Sequence, residues 1–537
     1  MDFGYLSLFR ILFIKIKMEN SKTKNNLPMI LIILDGWGLA KPSKGNAVSL
    51  AKTPNLDSYY KKYPWTKLYA HNKYVGLPLD QDGNSEAGHM NIGAGRVVEQ
   101  DAVTISRDIN RGAFFRNPVF IQAIRHAKKN KSRMHLMGML SNGMSAHSHP
   151  DHFLSLIELL KRRGVENVAL HLFTDGRDSP QYSALKLVED VNKILKNKEQ
   201  IATIMGRFYA MDRKKKWQRT ELAYDALVLG KGRLSASVHR AITESYNRGD
   251  SDEFIEPYVI AKSAKSAIKM GDGDSVIFFN LRSDRARQLT KAFAQEEFNR
   301  DNPGAFKRKK VLKNLCFAAM TDFGPDLGAI LTAYPSINLK NTLPMIMDNT
   351  RQVYVSETEK RAHVTYFFNG GYAGKVAGED YFIVSSPDVK SYDQTPGMSS
   401  EKLTEVVLKN LKSNKYDFTV LNYAAPDMVG HSGNLSAGIK CCEIIDKEVG
   451  KLARAYTKAK GTVIITADHG NIEEMINLKT GEIDTEHSAN QVPFILISGE
   501  KKFKLIDQGV LADIAPTILG LLGYKKPREM TGRSLIK

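Results

Sequence analysis

Cysteine is scarce in this sequence of 537 residues, which contains only Cys316, Cys441 and Cys442. Two of them are adjacent and cannot easily bridge each other, so we expect no disulfide framework and a reducing compartment, the cytoplasm. Apolar runs of membrane-spanning length are also lacking. The apolar stretch at residues 3–13 is interrupted by Arg10 and is too short to cross a bilayer, so we expect no membrane partner.

The same stretch lacks the features of a secretory signal, because no basic segment precedes it and no small-residue cleavage site follows it. We expect residues 1–27 to form a disordered or loosely attached leader.

Acidic residues are few relative to basic ones, 58 against 77, which gives a formal net charge of +19. This excess suits a phosphorylated or carboxylated substrate, and it also suits nucleic acid. Since no RNA-recognition signature is present, we expect no nucleic-acid partner.

The chain is longer than one compact core usually is, which predicts two domains. Apolar runs typical of buried strands alternate with helix-like segments, and this alternation predicts an α/β fold. Strands are predicted at residues 29–34, 134–140, 168–173, 201–205, 276–279, 352–355, 364–368, 417–423, 463–465 and 492–497. Polar side chains follow most of these runs, at the end of the strand where active sites of open α/β sheets lie.

A carboxylate and an imidazole, Asp468 and His469, follow the predicted strand 463–465. The pair suits a metal site, but an Asp capping the next helix beside a surface His is an equally open interpretation. Asp35 begins the sequence Asp-Gly-Trp-Gly after the predicted strand 29–34. Two glycines allow close approach of the backbone, which suits a metal or phosphate pocket, although an Asp in an ordinary turn remains the alternative.

Ser85 lies in the segment Gly-Asn-Ser-Glu-Ala-Gly-His and is a candidate nucleophile or metal ligand; the alternative is a helix N-cap. No Gly-x-Ser-x-Gly elbow surrounds it, so a metal ion would be the means of lowering the pKa of its hydroxyl. Asp427 and His431 are four residues apart, so one helical turn would place both on the same side. His487 precedes the predicted strand 492–497.

Seven candidate ligands share a position near predicted strand ends or in glycine-rich loops: Asp35, Ser85, Asp427, His431, Asp468, His469 and His487. Mixed nitrogen and oxygen ligation suits Mn²⁺ or Zn²⁺ better than Mg²⁺ or Ca²⁺. Seven donors would serve two ions, and paired ions are a device for displacement at phosphorus. We expect two divalent ions, Mn²⁺ first, with Zn²⁺, Co²⁺ and Mg²⁺ as alternatives.

Arginines follow three of the four strands predicted between residues 134 and 279, and a histidine cluster containing His147 follows the other. Guanidinium groups bind phosphate and carboxylate through two parallel hydrogen bonds, so the set predicts a small ligand with several negative charges. For any single arginine a surface ion pair is the more common role. Lys360 lies beside Glu357 and Glu359, and its alternative role is a surface lysine paired with a glutamate.

Taken together, these segments resemble the cofactor-independent phosphoglycerate mutases, and the match covers nearly all of residues 29–537. Ala87 and Ser283 stand where that family often has valine and proline, and no matched chemical residue is lost. The matching motifs, in chain order, are D-G-W-G at Asp35, G-N-S-E-A-G-H around Ser85, H-S-H at His147, T-D-G-R-D around Arg177, G-R-F-Y-A-M-D-R around Arg207, R-S-D-R-A at Arg282, P-D-M-V-G-H-S-G around Asp427, T-A-D-H-G-N around Asp468 and L-A-D-I-A-P-T at Leu511.

The resemblance implies a fold of the alkaline phosphatase superfamily. A metal-binding α/β domain would comprise residues 28–99 and 335–537, and a second α/β domain for the substrate would be inserted at 100–334. The implied reaction interconverts 3-phosphoglycerate and 2-phosphoglycerate in glycolysis and gluconeogenesis, without 2,3-bisphosphoglycerate. Separately from the resemblance, we expect a monomer. A metal-dependent phosphatase or another phosphomutase of the same superfamily is the alternative.

The resemblance also implies roles for individual residues. Ser85 would accept the phosphoryl group, with Asp178 as proton shuttle and Lys360 offsetting charge. One metal ion would be held by Asp427, His431 and His487, and the other by Asp35, Ser85, Asp468 and His469. Substrate contacts would come from His147, Arg177, Asp178, Arg207, Arg213, Arg282, Arg285 and Lys360.

Overall fold

The structure is a computed structural model that describes residues 27–79, 81–143, 145–195, 199–324, 326–336, 338–499 and 503–537. Apart from Leu27, the leader expected at residues 1–27 lies outside these ranges. Within them, no helix combines the length and the apolar character needed to span a membrane.

Sixteen strands form in the described part of the chain: β1 Met29–Leu34, β2 Trp65–Tyr69, β3 Met134–Met139, β4 Val168–Thr174, β5 Glu199–Gly206, β6 Arg233–Ser235, β7 Tyr258–Ile260, β8 Ser275–Phe278, β9 Cys316–Thr321, β10 Leu331–Tyr334, β11 Gln352–Glu357, β12 Asp380–Val384, β13 Phe418–Tyr423, β14 Thr462–Thr466, β15 Val492–Ser498 and β16 Gln508–Val510. The α-helices there are α1 Ala47–Leu50, α2 Pro54–Lys62, α3 Ser85–Ala94, α4 Asp101–Asn110, α5 Pro118–Asn130, α6 Pro150–Arg162, α7 Ala184–Ile194, α8 Arg207–Ala210, α9 Trp217–Leu229, α10 Val238–Asn247, α11 Ser283–Ala294, α12 Phe298–Asp301, α13 Leu343–Ile346, α14 Ser400–Lys412, α15 Ala425–Gly430, α16 Leu435–Lys458 and α17 Ile514–Leu522.

The chain divides into two compact units. The first unit comprises the described residues up to Glu99 and those after residue 337, and it is built on one sheet with the strand order β12-β11-β13-β1-β14-β15-β2-β16. Only β15 in this order runs against its neighbours β14 and β2. All six residues of β1 are buried, which explains its uninterrupted apolar sequence, because central parallel strands are covered on both faces.

The second unit, Gln100–Ser336, is built on a sheet with the strand order β10-β9-β8-β3-β4-β5-β7-β6. Strand β7 is antiparallel to β5 and parallel to β6, and the remaining pairs are parallel. Successive strand residues supply two separate apolar clusters: Leu136 belongs to one and Met137 to the other. This alternation follows from the two-residue period of a strand, and it shows that both faces of the sheet are covered.

One predicted strand is wrong. Residues 364–368 do not form a strand, because His363–Phe367 is a π-helix. Val364 and Phe368 are both fully buried and lie four residues apart, which is the spacing of a helical face. A short apolar run cannot be assigned to strand or helix by periodicity alone. The other nine predicted strands are present, with shifts of one or two residues at their ends.

Glu357, the last residue of β11, is a carboxylate enclosed in the first unit. Burial raises the pKa of its carboxyl to about 7, and a 3.0 Å hydrogen bond from the Ser399 backbone N–H offsets this only in part. The folded chain therefore retains a proton on Glu357 over a pH range in which the unfolded chain has released it.

From this we predict that the free energy of unfolding falls as pH rises from about 4.5, the ordinary value for Glu, to about 7. Across this pH interval, Glu357→Gln should reduce the fall in the free energy of unfolding by up to about 3 kcal/mol. Urea unfolding in EDTA at a series of pH values measures it. The exposed Glu405→Gln is the matched control and should keep the wild-type slope; an unchanged slope in Glu357→Gln would contradict the prediction.

Candidate functional site

Charged side chains follow four adjacent parallel strands of the first unit, in the order β11-β13-β1-β14. Lys360 follows β11, Asp427 lies in α15 after β13, Asp35 follows β1 and Asp468 follows β14. All four are buried. Because the carboxyl ends of parallel strands meet at one edge of a sheet, segments far apart in sequence contribute to one site.

The loop after β1 depends on Gly36. Its φ of +72° lies in the left-handed region, and a Cβ there would lie 2.8 Å from both Cα and Cβ of Asp427. The Gly36 backbone N–H also donates to Asp468 Oδ1 at 3.2 Å. The absence of a side chain at this position therefore allows the loops that carry Asp35, Asp427 and Asp468 to approach one another.

Ser85 is the first residue of α3, and the N-cap is Asn84, whose side chain accepts from the Ala87 backbone N–H at 2.9 Å. The N-cap interpretation of Ser85 is therefore wrong. Its Oγ lies 3.0 Å from Asp35 Oδ1, 2.9 Å from His469 Nε2 and 2.7 Å from Lys360 Nζ. The hydroxyl can donate to the carboxylate while it accepts from the two nitrogens, and the helix N-terminus adds stabilisation of negative charge on Oγ.

Three imidazoles complete the donor set around Asp427. Its Oδ1 lies 3.3 Å from His431 Nε2 and 3.4 Å from His487 Nε2, and these two nitrogens are 3.1 Å apart. The predicted helical turn between Asp427 and His431 is present, since His431 directly follows α15. Two compact sets of possible metal ligands stand out, and His469 belongs to both: one also contains Asp427 and His487, the other Asp35 and Asp468.

The chemistry of these donors fits divalent cations. Lys360 Nζ lies 2.7 Å from both Asp35 Oδ1 and Asp427 Oδ2. Burial alone would raise the pKa of Asp35, but the Lys360 ammonium and the His469 imidazole hold it well below its usual range. Burial by itself would lower the pKa of the His469 imidazole. The nearby carboxylates raise this pKa to about 10 instead, and they belong to Asp468, Asp35 and Asp427. The site is thus a cluster of oxygen and nitrogen donors, buried except at His431 and His487, that attracts positive charge, as a divalent metal site requires.

Two residues behind the donors were missed by the sequence analysis. Asn422 Nδ2 donates to Asp35 Oδ2 at 2.6 Å and to His89 Nε2 at 3.0 Å. His89 therefore carries its proton on Nδ1, which faces the Ser85 carbonyl at 2.9 Å and Asp468 Oδ2 at 3.0 Å. Such contacts orient metal ligands. The available signal was an amide in the otherwise mostly apolar strand β13.

The second unit repeats this placement. Its adjacent parallel strands β8, β3, β4 and β5 also end at one edge, and the residues that follow them include the expected substrate contacts. These are Arg282 and Arg285 after β8, His147 after β3, Arg177 and Asp178 after β4, and Arg207 and Arg213 after β5. Lys360, the remaining expected contact, lies in the first unit beside Ser85, where it is 4 % exposed; the surface-lysine interpretation is wrong.

Arg207 is the buried centre of this arginine cluster. Its Nη1 donates to Asp175 Oδ1 at 2.5 Å and to Asp178 Oδ2 at 2.8 Å. Burial opposes the charge on Arg207, but the two carboxylates raise the pKa of its guanidinium. Burial would raise the pKa of Asp178, whereas Arg207 and a 2.6 Å hydrogen bond from Ser145 Oγ lower it. Asp178 is therefore ionised and can accept a proton.

Asp284 connects several of the remaining groups. Its Oδ2 accepts from Arg213 Nη1 at 2.7 Å, and its Oδ1 lies 3.9 Å from His147 Nδ1 and 4.0 Å from Arg282 Nε. Burial and the positive charges of Arg207 and Arg213 lower the pKa of the neighbouring Arg285 to about 10. Cations that disfavour one another's charge in this way favour an anionic ligand. Asp175 and Asp284 were both missed as individual residues, although each lies within a motif noted in the sequence.

Arg177 is the most open member of the cluster. Its side chain is 57 % exposed, and its Nη1 lies 3.7 Å from Glu253 Oε1. A guanidinium held this loosely can turn toward a ligand at little cost.

Known families match both units. The family described as BPG-independent PGAM N-terminus matches residues 105–325, and the family described as type I phosphodiesterase / nucleotide pyrophosphatase matches residues 333–530. Together with the two sheets and the donor set, these matches define an α/β enzyme with an alkaline phosphatase-like metal-binding domain and a second α/β domain of the BPG-independent PGAM N-terminal type. The expected fold class is confirmed.

Relatives along the whole chain are more specific. The 2,3-bisphosphoglycerate-independent phosphoglycerate mutase of Clostridium kluyveri is 47% identical over 514 residues, which cover 95% of this chain and 99% of that protein. The 2,3-bisphosphoglycerate-independent phosphoglycerate mutase 1 of Methanosarcina acetivorans is 46% identical over 515 residues, which cover 95% of this chain and 98% of that protein. A solved structure of Leishmania mexicana phosphoglycerate mutase, at low cobalt concentration, superposes with a TM-score of 0.79 at 30% identity and covers 95% of this chain and 98% of its own.

The chain belongs to the family of 2,3-bisphosphoglycerate-independent phosphoglycerate mutases. It is an isomerase of glycolysis and gluconeogenesis that interconverts 3-phosphoglycerate and 2-phosphoglycerate, and its fold implies divalent metal ions. The family resemblance seen in the sequence is confirmed.

The position of Lys360 generates a prediction about metal and stability. In EDTA, Lys360→Met should lower the free energy of unfolding by about 3 kcal/mol, because it removes the cation that lies 2.7 Å from both buried carboxylates, those of Asp35 and Asp427. Added Mn²⁺ should recover much of this loss. Thermal unfolding with EDTA and with Mn²⁺ measures both effects.

The control is Lys375→Met, which removes an exposed ion pair with Asp380 and should cost less than about 1 kcal/mol in either condition. Equal losses in the two variants, or a loss in Lys360→Met that Mn²⁺ leaves unchanged, would contradict this account of the buried charges.

Proposed function

We propose that Ser85 is the nucleophile of the mutase reaction. Its Oγ would take the phosphoryl group from O3 of 3-phosphoglycerate and form phosphoserine, while O3 of the glycerate gains a proton. The phosphoryl group would then return to O2, giving 2-phosphoglycerate and restoring the Ser85 hydroxyl. The observation that carries the proposal is the contact of Ser85 Oγ with Asp35, His469 and Lys360, all within 3.0 Å.

The donor set of the first unit would hold the metal ions. One ion is assigned to Asp427, His431 and His487, and the other to Asp35, Ser85, Asp468 and His469. When bound, such ions lower the pKa of a coordinated hydroxyl and neutralise charge on phosphoryl oxygens. Mn²⁺ is the ion that we propose, because it accepts both imidazole and carboxylate ligands.

Lys360 and Asp35 act on the nucleophile directly. The Asp35 carboxylate accepts the hydrogen bond of the Ser85 hydroxyl and so aims the Oγ lone pairs away from itself. The Lys360 ammonium, 2.7 Å from Oγ, offsets the negative charge that gathers on the transferring group. Positioning and charge compensation of this kind are the main tasks in phosphoryl transfer.

The arginine cluster would bind and retain the glycerate between the two transfers. We assign the contacts with its carboxylate and hydroxyl groups to His147, Arg177, Arg207, Arg213, Arg282 and Arg285. Asp178 is ionised beside Arg207, and its side chain is 32 % exposed, so a bound hydroxyl can reach it. We assign to Asp178 the removal of a proton from the attacking glycerate hydroxyl and its delivery to the one released.

We further propose a monomeric, cytoplasmic enzyme without a nucleic-acid partner. A single chain supplies all seven proposed metal ligands, and Cys316, Cys441 and Cys442 are all free thiols, as a reducing compartment favours. Light scattering after size-exclusion chromatography measures the oligomeric state.

Ser85→Ala should lower conversion of 3-phosphoglycerate more than about 10⁴-fold, since no other hydroxyl replaces the nucleophile. A coupled assay that detects 2-phosphoglycerate, run without 2,3-bisphosphoglycerate, measures the rate. Acid-quenched wild-type protein should carry phosphate on the peptide containing Ser85. Ser400→Ala, which alters a buried serine of α14, is the matched control and should keep wild-type activity.

EDTA should stop the same assay, and Mn²⁺ should restore it. Turnover by Ser85→Ala would contradict the nucleophile assignment. Release of inorganic phosphate in place of 2-phosphoglycerate would instead indicate a phosphatase.

Asp178→Asn tests the proton shuttle. We predict that kcat falls about 10²-fold or more while KM changes much less, because Asn preserves the shape and the contact with Arg207 but cannot take a proton. Steady-state kinetics in both directions measure this. Asp151→Asn, at the exposed start of α6, should behave as wild type. A larger effect on KM than on kcat would assign Asp178 to binding instead.

A further inference from the structure

Glu473 is a buried carboxylate that the mechanism described above does not use. It is 1 % exposed and lies in the segment that follows His469. Its Oε2 accepts from the backbone N–H of Gly38 at 2.9 Å and from that of Asn471 at 2.8 Å. Its Oε1 accepts from Ser488 Oγ and, at 3.0 Å, from Asn490 Nδ2.

All four partners of Glu473 are neutral donors, and each carboxylate oxygen receives two of them. Only an ionised carboxylate offers acceptors on both sides with no proton of its own. An amide of the same shape would turn an NH₂ group toward one pair of donors and would lose two of the four hydrogen bonds. The buried charge at this position is thus matched by its surroundings through hydrogen bonds alone.

The partners of Glu473 lie in three of the five segments that carry proposed metal ligands. Gly38 is three residues after Asp35, Asn471 is two residues after His469, and Ser488 directly follows His487. Backbone bridges join some of these loops in pairs, such as the one between residues 470 and 488. Glu473 contacts all three at once.

The sequence around Glu473 is adapted to this close contact. A Cβ at Gly38 would collide with the Glu473 carboxylate, so the loop after β1 can reach it only where a side chain is absent. The contact therefore explains the second glycine of Asp-Gly-Trp-Gly, as the approach to Asp427 explains the first.

We propose that Glu473 is a positioning residue that holds the ligand loops of both metal ions in their relative positions. Loss of Glu473 would therefore lower the affinity of the protein for both ions. The inference rests on the proposed two-metal function and adds to it a residue that touches neither ion nor substrate. Ligand-orienting residues of this kind typically change metal affinity by about 10- to 100-fold when they are altered.

Three variants test the inference. Glu473→Gln removes the carboxylate, and Ser488→Ala removes one of its two side-chain contacts with the loop of His487, leaving that of Asn490. Glu474→Gln is the matched control, because it makes the same charge change one residue away, where the exposed side chain accepts a hydrogen bond from Asn490. Isothermal titration of metal-free protein with Mn²⁺ gives the number and affinity of ions bound, and electron paramagnetic resonance reports their surroundings.

We expect Glu473→Gln to lower the affinity for both Mn²⁺ ions about tenfold or more. Ser488→Ala should lower only the affinity for the ion assigned to Asp427, His431 and His487. Glu474→Gln should bind both ions with an affinity within about twofold of wild type. At saturating Mn²⁺ the KM for 3-phosphoglycerate should stay within about twofold of wild type in all three, because the arginine cluster is untouched. A merely structural role for Glu473 would lower the unfolding temperature without this loss of metal affinity.

Folded Glu473→Gln with wild-type affinity for two Mn²⁺ ions would overturn the inference while leaving the proposed function intact. If Glu473→Gln does not fold, Ser488→Ala decides, and unchanged affinity for both ions in that variant would overturn it as well. Wild-type protein that binds fewer than two Mn²⁺ ions would contradict the proposed function, and the inference with it.

Discussion

Negative charge buried at the edge of a sheet is the constraint on which the rest of the first unit depends. Asp35, Asp427 and Asp468 are withdrawn from water within one small site, and such charges persist only where cations or hydrogen-bond donors surround them. Lys360 and His469 provide positive charge in the structure, and backbone N–H groups provide part of the rest. The same requirement explains why the site suits divalent ions, and it explains the place of Ser85, the proposed nucleophile, because Ser85 Oγ contacts the groups that compensate the charge.

Both units place charged side chains in the loops at one edge of a sheet, but the two sets of side chains differ in the sign of their charge. In each, four adjacent parallel strands end at one edge and present their following loops together. The loops of the first unit present carboxylates and imidazoles, which suit metal ions, whereas those of the second present guanidinium groups, which suit an anionic substrate. In the second unit Asp175, Asp178 and Asp284 partly neutralise the arginines and fix their orientation, so that the cluster remains compact in spite of its mutual repulsion.

Behind the reacting groups lies a further set of polar residues whose role is geometric. Asn422 and His89 fix the carboxylates of Asp35 and Asp468, and Glu473 joins the ligand loops. All three are buried, and each directs at least one polar atom at a specific partner. In a low-dielectric interior such contacts are strong when they are complete and costly when they are broken. They therefore suit the task of orienting the proposed metal ligands.

The sequence by itself determined the α/β fold and the family and named the residues of the proposed site, because apolar runs mark parallel strands and the motif residues follow those runs directly. It could not assign residues 364–368, where the helical spacing of Val364 and Phe368 becomes visible only once both are seen in the core. It also left open whether Ser85 caps its helix, a role that Asn84 takes in the structure, and whether Lys360 lies on the surface. Only the tertiary structure decided these points, and it alone showed the contacts of Asn422, His89 and Glu473. The reason is that burial, and contact between residues hundreds of positions apart, depend on the packing of the sheet and not on any local pattern.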